Sequence, residues 1–205
     1  MSIFPPFREQ RKGTLHLPSQ MRVIAGLAGG IRLKIPPHDL RPTMDMVREA
    51  AFSSLAELVT DARVLDLFAG SGAYGIEALS RGAGDAIFVD DHPKSIETIR
   101  FNLLHTKLSG KVVRSDVFRF LQKQDERYRL VFADPPYTKK AGDRDYVRDL
   151  MENESLVAAM EPGGVLVLEC SPVKELTAFR FWEIIRAKKY GATKLLFCTP
   201  KELPG

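Results

Sequence analysis

A chain of 205 residues with 44% apolar content is sized for one domain with a sizeable core, and it holds no run of about 18 apolar residues suited to crossing a bilayer. Its net charge of +4 is unevenly spread: residues 1–41 carry seven Lys/Arg against two acids, residues 180–201 six against one, and residues 42–179 seventeen against twenty-two. Basic ends around an acidic middle favour a polyanionic partner such as nucleic acid. Cys170 and Cys198, both in apolar runs, and four scattered histidines argue against a disulfide framework and show no metal-ligand spacing. With no apolar h-region at the N-terminus, the expected setting is cytoplasmic.

Residues 1–20 show no period and read as a flexible extension, with 21–205 as a single domain. Arg22–Ala25 and Ile31–Ile35 alternate around Gly26 and Gly29-Gly30, which predicts a small basic hairpin, an appendage over 21–40. Thr43 is a candidate cap for a helix with Val47, Ala51, Leu55 and Leu58 on one face. From Arg63 strands and helices alternate. A strand over 63–68 leads to a helix over 73–81 stopped by Gly82, then a strand over 86–90. Pro93 opens a helix reaching Lys107, at the first-turn position where its missing N–H costs nothing. Strands follow at 111–115, 130–133 and 165–170, with helices between them. Such alternation predicts an α/β fold with a parallel sheet covered on both faces. Runs 182–189 and 193–199 around Gly191 predict a closing antiparallel hairpin.

Ligands of such sheets bind beyond the carboxyl ends of the strands, where strand order reverses. The residues just after each strand therefore carry the chemistry. Gly70-x-Gly72-x-x-Gly75 after the first strand fits a dinucleotide-type glycine turn, with Asp90 at the distance of a ribose-binding acid. Asp66, four residues before Gly70, would repel a pyrophosphate. It suits a ligand bearing an ammonium, and S-adenosylmethionine has one. Asp66 is then assigned to the ammonium and the loop Phe68-Ala69-Gly70-Ser71-Gly72 to the cofactor carboxylate. Asp90, with Asp91 beside it, is assigned to the ribose hydroxyls, and Asp116 to the adenine, with Val117 and Phe118 packing nearby. Asp116 is also a fair helix N-cap.

Asp134-Pro135-Pro136-Tyr137 ends the apolar run Leu130–Ala133. An exocyclic amine on a nucleobase is a poor nucleophile, because its lone pair is delocalised into the ring. The Asp134 carboxylate and the Pro135 carbonyl, held by a stiff Pro-Pro turn, can accept its two N–H groups and turn the lone pair toward a methyl donor. Asp134 also borders the cofactor. Tyr137 offers a face for base stacking. A base within a duplex would have to be flipped out.

Leu65–Gly72 together with Asp134–Tyr137 resembles class I methyltransferases acting on exocyclic amines. Adding Arg22–Gly26, Leu40-Arg41-Pro42-Thr43, Val47-Arg48-Glu49 and Glu77–Ala83, the chain from Met21 onward resembles the RsmD family, bacterial methyltransferases of guanine N2 in small-subunit ribosomal RNA. The resemblance implies a Rossmann-like fold with a seven-stranded, mostly parallel sheet, and S-adenosylmethionine as donor without a metal. It also implies a monomer acting on 16S ribosomal RNA or its assembling particle, at the family's guanine-966 position. Candidate RNA contacts are Arg22, Arg32, Lys34, Arg41, Arg48, Lys139 and Lys140. Arg48 is equally placed for a salt bridge with Asp45.

Three other readings stay open. Adenine-N6 methylation uses the same Asp-Pro-Pro-Tyr chemistry, though only about 60 residues precede the glycine loop, little room for a DNA-recognition region. Glutamine methylation on a protein is a second, although those enzymes more typically carry Asn at the position of Asp134. A non-catalytic RNA-binding relic of the fold is the third. A nicotinamide oxidoreductase is disfavoured by Asp66.

Overall fold

The structure, a computed structural model, describes residues 21–36, 44–136, 142–172 and 179–201. The expected extension over 1–20, the Thr43 cap, and the candidates Arg41, Tyr137, Lys139 and Lys140 lie outside the described residues.

Helix α1 (Met44–Leu55) and a single 3-10 turn (Ala56–Val59) lead into alternating elements: β1 (Arg63–Leu67), α2 (Ala73–Ser80), β2 (Asp85–Asp90), α3 (Pro93–Thr106), β3 (Lys111–Arg114), α4 (Val117–Lys123) and β4 (Tyr128–Ala133). Two short helices, α5 (Tyr146–Met151) and α6 (Glu154–Ala158), precede β5 (Met160–Cys170), and β6 (Trp182–Tyr190) and β7 (Thr193–Pro200) close the chain. Together the strands form one seven-stranded sheet in the order β3-β2-β1-β4-β5-β7-β6. β3, β2, β1, β4 and β5 run parallel, while β7 is antiparallel to both β5 and β6. The expected parallel sheet and terminal hairpin are both present, each strand within a few residues of its expected span.

Burial follows the two-residue period of the strands. Val64, Leu130, Phe132, Val165 and Val167 pack with α1, α2 and α3 on one face. Leu65, Leu67, Val131, Ala133, Leu166 and Leu168 pack with α4, α5 and α6 on the other. On α1, Val47, Ala51 and Leu55 are buried as the helical period predicts. Leu58 departs from that stripe: the chain tightens into the 3-10 turn, and Val59 takes the buried place.

The expected N-terminal hairpin forms, but as a ladder with one bridge, Arg22 opposite Arg32, rather than two regular strands. Its cross-chain bonds are Val23 N–H to Ile31 O (2.9 Å), Gly30 N–H to Val23 O (2.8 Å) and Leu33 N–H to Met21 O (2.9 Å). Strand pairing goes no further because helix side chains take the remaining amides. Glu77 accepts from Ile24 and Ala25 at 2.7 and 3.1 Å, and Ser80 Oγ accepts from Ala28 at 2.9 Å. Met21, Val23 and Leu33 are buried in the α1–α3 core, so the hairpin is packed onto the sheet layer.

Candidate active site at the carboxyl ends of the strands

The chain lays down β1, β2 and β3 outward in one direction, then returns to place β4 on the other side of β1. Strand order therefore reverses between β1 and β4, which makes their carboxyl ends the expected binding crevice. A cavity of about 770 Å³, lined by Leu55, Asp61, Arg63, Arg129 and Glu161, lies at the amino ends of β1 and β4.

Within five residues the loop from β1 to α2 takes three left-handed turns, at Phe68 (φ 55°), Gly70 (φ 53°) and Gly72 (φ 78°). Gly72 is the N-cap of α2. Gly75 serves a different need: a Cβ there would sit 2.3 Å from the Phe88 ring, so only glycine lets α2 lie this close to β2. Phe68 is the one non-glycine residue of the three, and its ring meets Tyr146 edge-on at 5.5 Å. Left-handed backbone at a bulky residue stores strain that the packing around it must hold.

Acidic side chains tie this loop down. Asp90 Oδ2 accepts from the Gly70 amide and Oδ1 from the His92 amide, each at 2.9 Å. Asp66 Oδ2 accepts from the Gly75 amide at 2.9 Å. Burial pushes the Asp66 carboxyl up to about 8; the Gly75 amide and Arg48 oppose that rise, and the charges of Asp90 and Asp134 add to it. The three acids of β1, β2 and β4 thus lie within electrostatic reach of one another. Sequence reasoning put Asp66 on a ligand ammonium. In the structure its carboxyl is buried and turned to the backbone of α2. Asp116 caps α4, accepting from the Arg119 amide at 2.9 Å, while Val117 is buried and Asp91 exposed. Asp134 is half-buried just beyond β4, Pro135 is buried and Pro136 is exposed.

Arg48 requires a correction. Sequence reasoning offers it to RNA phosphates, yet it is 1% exposed. Its Nη2 donates to Asp45 Oδ1 at 2.9 Å and to the Arg22 carbonyl, and its Nε lies 3.7 Å from Glu77 Oε2. Glu77, itself fully buried, also accepts from Arg81 Nε at 2.6 Å. The physical reason is charge pairing: a guanidinium can leave water when a carboxylate from another helix meets it. Arg22, Arg32 and Lys34 are exposed on the hairpin, with Lys34 Nζ 5.3 Å from the centre of the Phe101 ring.

Sequence reasoning missed Tyr74, Glu169 and the contacts that Tyr146 and Arg144 make with Phe118 beside Asp116. Tyr74 donates its hydroxyl to Glu169 Oε1 at 2.5 Å, and its ring stacks on Phe132 at 4.9 Å. Burial, followed by the Glu169 charge, holds the Tyr74 hydroxyl well above the usual tyrosine range. A lone acid inside the apolar run Val165–Cys170 was the available signal for Glu169. Near Asp116, the Phe118 and Tyr146 rings lie 6.4 Å apart, with the Arg144 guanidinium 4.3 and 4.8 Å from their centres. Among the described residues, no group of three His, Cys, Asp or Glu side chains could hold a metal ion. None of their helices is long and apolar enough to cross a membrane.

Comparison with known proteins places this architecture. The chain is 42% identical to the Ribosomal RNA small subunit methyltransferase D of Escherichia coli (strain K12) over 58% of its length, and the match spans 62% of that relative. The solved structure of yhhF from Escherichia coli superposes with a TM-score of 0.75 at 31% identity, covering 89% of this chain and 98% of that one. The T. thermophilus 16S rRNA N2 G1207 methyltransferase, solved with AdoMet and guanosine, shares the fold at 22% identity and a TM-score of 0.69, over 89% of this chain and 50% of its own. The sheet order and these likenesses make the fold that of a Rossmann-like class I methyltransferase. The profile described as "Conserved hypothetical protein 95" matches residues 21–199, and the chain belongs to that family, which is the RsmD family.

Proposed function

We propose that this chain methylates the exocyclic N2 amine of a guanine in small-subunit ribosomal RNA, with S-adenosylmethionine as the methyl donor. One observation carries the reading: the Asp134-Pro135-Pro136 turn leaves β4 beside the glycine loop of β1, at the reversal of strand order, in a chain of the RsmD family.

The donor set fits the cofactor. The Gly70–Gly72 loop has its backbone bent into left-handed turns at both glycines, and acids stand at the ends of β1 and β2 and just beyond β3. Asp90 already engages two amides; a carboxylate has about four acceptor positions, so ribose hydroxyls can share it. Phe118 and Val117 follow Asp116 as apolar surface for an adenine. When bound, S-adenosylmethionine supplies an electrophilic methyl and leaves as S-adenosylhomocysteine. Asp134 and the Pro135 carbonyl accept the two amine N–H groups, orient the nitrogen, and Asp134 takes the proton released as the N–C bond forms. Holding the two reactants in line contributes several kcal/mol, about 7–11 at the upper end. Arg22, Arg32 and Lys34 supply phosphate contacts, which position an RNA without reading its sequence. The family's guanine-966 position, an assembling particle as substrate, cytoplasmic action and a monomeric state belong to the same proposal.

The test is transfer of tritiated methyl from S-adenosylmethionine to unmodified 16S RNA, unmodified small-subunit particles and duplex DNA, followed by nucleoside digestion. Label in N2-methylguanosine supports the proposal. Label in N6-methyladenine moves the enzyme to the adenine class, and transfer to no substrate by a cofactor-binding preparation refutes methyl transfer to these nucleic acids.

A further inference from the structure

Glu169 lies near the end of β5, one residue beyond Leu168, which pairs with Ala133 across the β4–β5 ladder. Asp134 follows Ala133 directly. The two carboxylates therefore leave adjacent parallel strands at the same level. By the two-residue period they share the face of Phe132 and Val167, which are themselves paired. Glu169 is 8% exposed, and Tyr74, from the first turn of α2, donates to its Oε1. After burial, the charges of Glu169 and Asp134 both push the Tyr74 hydroxyl up, in keeping with that placement on the strands.

Two neighbouring carboxylates are an acceptor-only surface. Among amine-bearing bases, guanine alone presents its amine next to a second donor, with N1–H beside N2–H₂. Adenine flanks its amine with acceptors at N1 and N7, and cytosine places the N3 acceptor beside its amine. A second carboxylate next to the amine-binding Asp134 thus matches guanine and opposes the other two through lone-pair repulsion. A partner for Tyr74 alone requires only an acceptor, which a glutamine oxygen also supplies, though in a weaker hydrogen bond than a carboxylate makes.

We infer that Glu169 is a specificity residue, accepting the N1–H of the target guanine while Asp134 and the Pro135 carbonyl hold its 2-amino group. The inference rests on the guanine-N2 reading of the same site.

The experiment uses the full chain and two versions of the target RNA, one with guanine at the modified position and one with 2,6-diaminopurine. The latter keeps the 2-amino group but has an acceptor at N1. The wild type is expected to favour guanine in kcat/KM by on the order of 10–100-fold, the scale of one unpaired buried polar group. In Glu169→Gln, Tyr74 keeps the amide oxygen, and the NH₂ turns toward N1. The preference should then shrink to near unity or invert. RNA affinity measured at equilibrium with S-adenosylhomocysteine should show the same change in ratio, while cofactor affinity and melting temperature stay at wild-type values. An equal loss on both RNAs, with the wild-type ratio intact, would make Glu169 a structural partner of Tyr74 and overturn the inference. Absence of wild-type transfer to guanine would instead overturn the guanine-N2 reading, and this inference with it.

Discussion

Asp66 and Gly75 are joined across the β1–α2 turn by a 2.9 Å hydrogen bond, with the acceptor a buried carboxyl shifted up to about 8. The acid is thus mostly protonated at neutral pH, and the bond that seats α2 is made largely by its neutral form. A carboxyl raised from 3.8 unfolded to about 8 folded favours the fold fully below pH 4. That contribution falls as pH rises through the interval and is gone above about 8. The expected slope is up to about 1.4 kcal/mol per pH unit. Urea denaturation between pH 5 and 9 should show it in the wild type, and Asp66→Asn, which keeps an acceptor for the Gly75 amide, should flatten the profile. An unchanged slope in the variant would place the titration elsewhere.

Asp134 and Asp90 should separate chemistry from binding. Asp134→Ala is expected to lower methyl transfer by at least about 100-fold, the scale of a positioned proton acceptor, with S-adenosylmethionine affinity nearly unchanged in calorimetry. Asp90→Ala should weaken cofactor binding by at least about tenfold, because it removes a charged acceptor and leaves the Gly70 and His92 amides unpaired. Equal loss of cofactor affinity in both variants would remove the assigned division of roles.

Glu77 binds the hairpin to the body of the protein. Its carboxylate accepts from the Ile24 and Ala25 amides and from Arg81, and it faces buried Arg48. Glu77→Ala leaves the Ile24 and Ala25 amides without their acceptor and buried Arg48 with Asp45 as its remaining counter-charge, for which about 1–3 kcal/mol of destabilisation is expected. Chemical denaturation measures the loss, and limited proteolysis should cut first within 21–35. A loss below about 1 kcal/mol would show that Asp45 and the Arg22 carbonyl suffice for Arg48.

Arg22 and Arg32 face one another across the hairpin bridge and are exposed. The double replacement by alanine should weaken RNA binding by a similar factor for all sequences. It should also reduce the slope of log K against log salt by about 1–2, roughly one for each phosphate no longer neutralised. An unchanged salt slope would take the hairpin arginines out of the RNA interface. The same change at Arg48 would act through folding instead, lowering the melting temperature.

The sequence alone determined the order of strands and helices, the glycine turn and the acids at the strand ends. These rest on local chemistry: a two-residue apolar period, glycine where φ turns positive, proline at the first turn of α3. It also carried the motif Asp134-Pro135-Pro136 on which the family reading depends. Tertiary structure decided the rest. Arg48 reads as a surface cation because charge is costly to bury, and Asp45 on its own helix together with Glu77 from α2 offsets that cost. The Gly75 amide on one oxygen of Asp66 is a contact that only the packing of α2 against β1 reveals. Residues 95 positions apart, Tyr74 and Glu169, meet only because β5 lies beside β4 at the reversal of strand order. Local pattern constrains what a residue can be next to in the chain, whereas the partner that neutralises a buried charge, and so sets the shape and preference of the crevice, is chosen by the packing of distant elements.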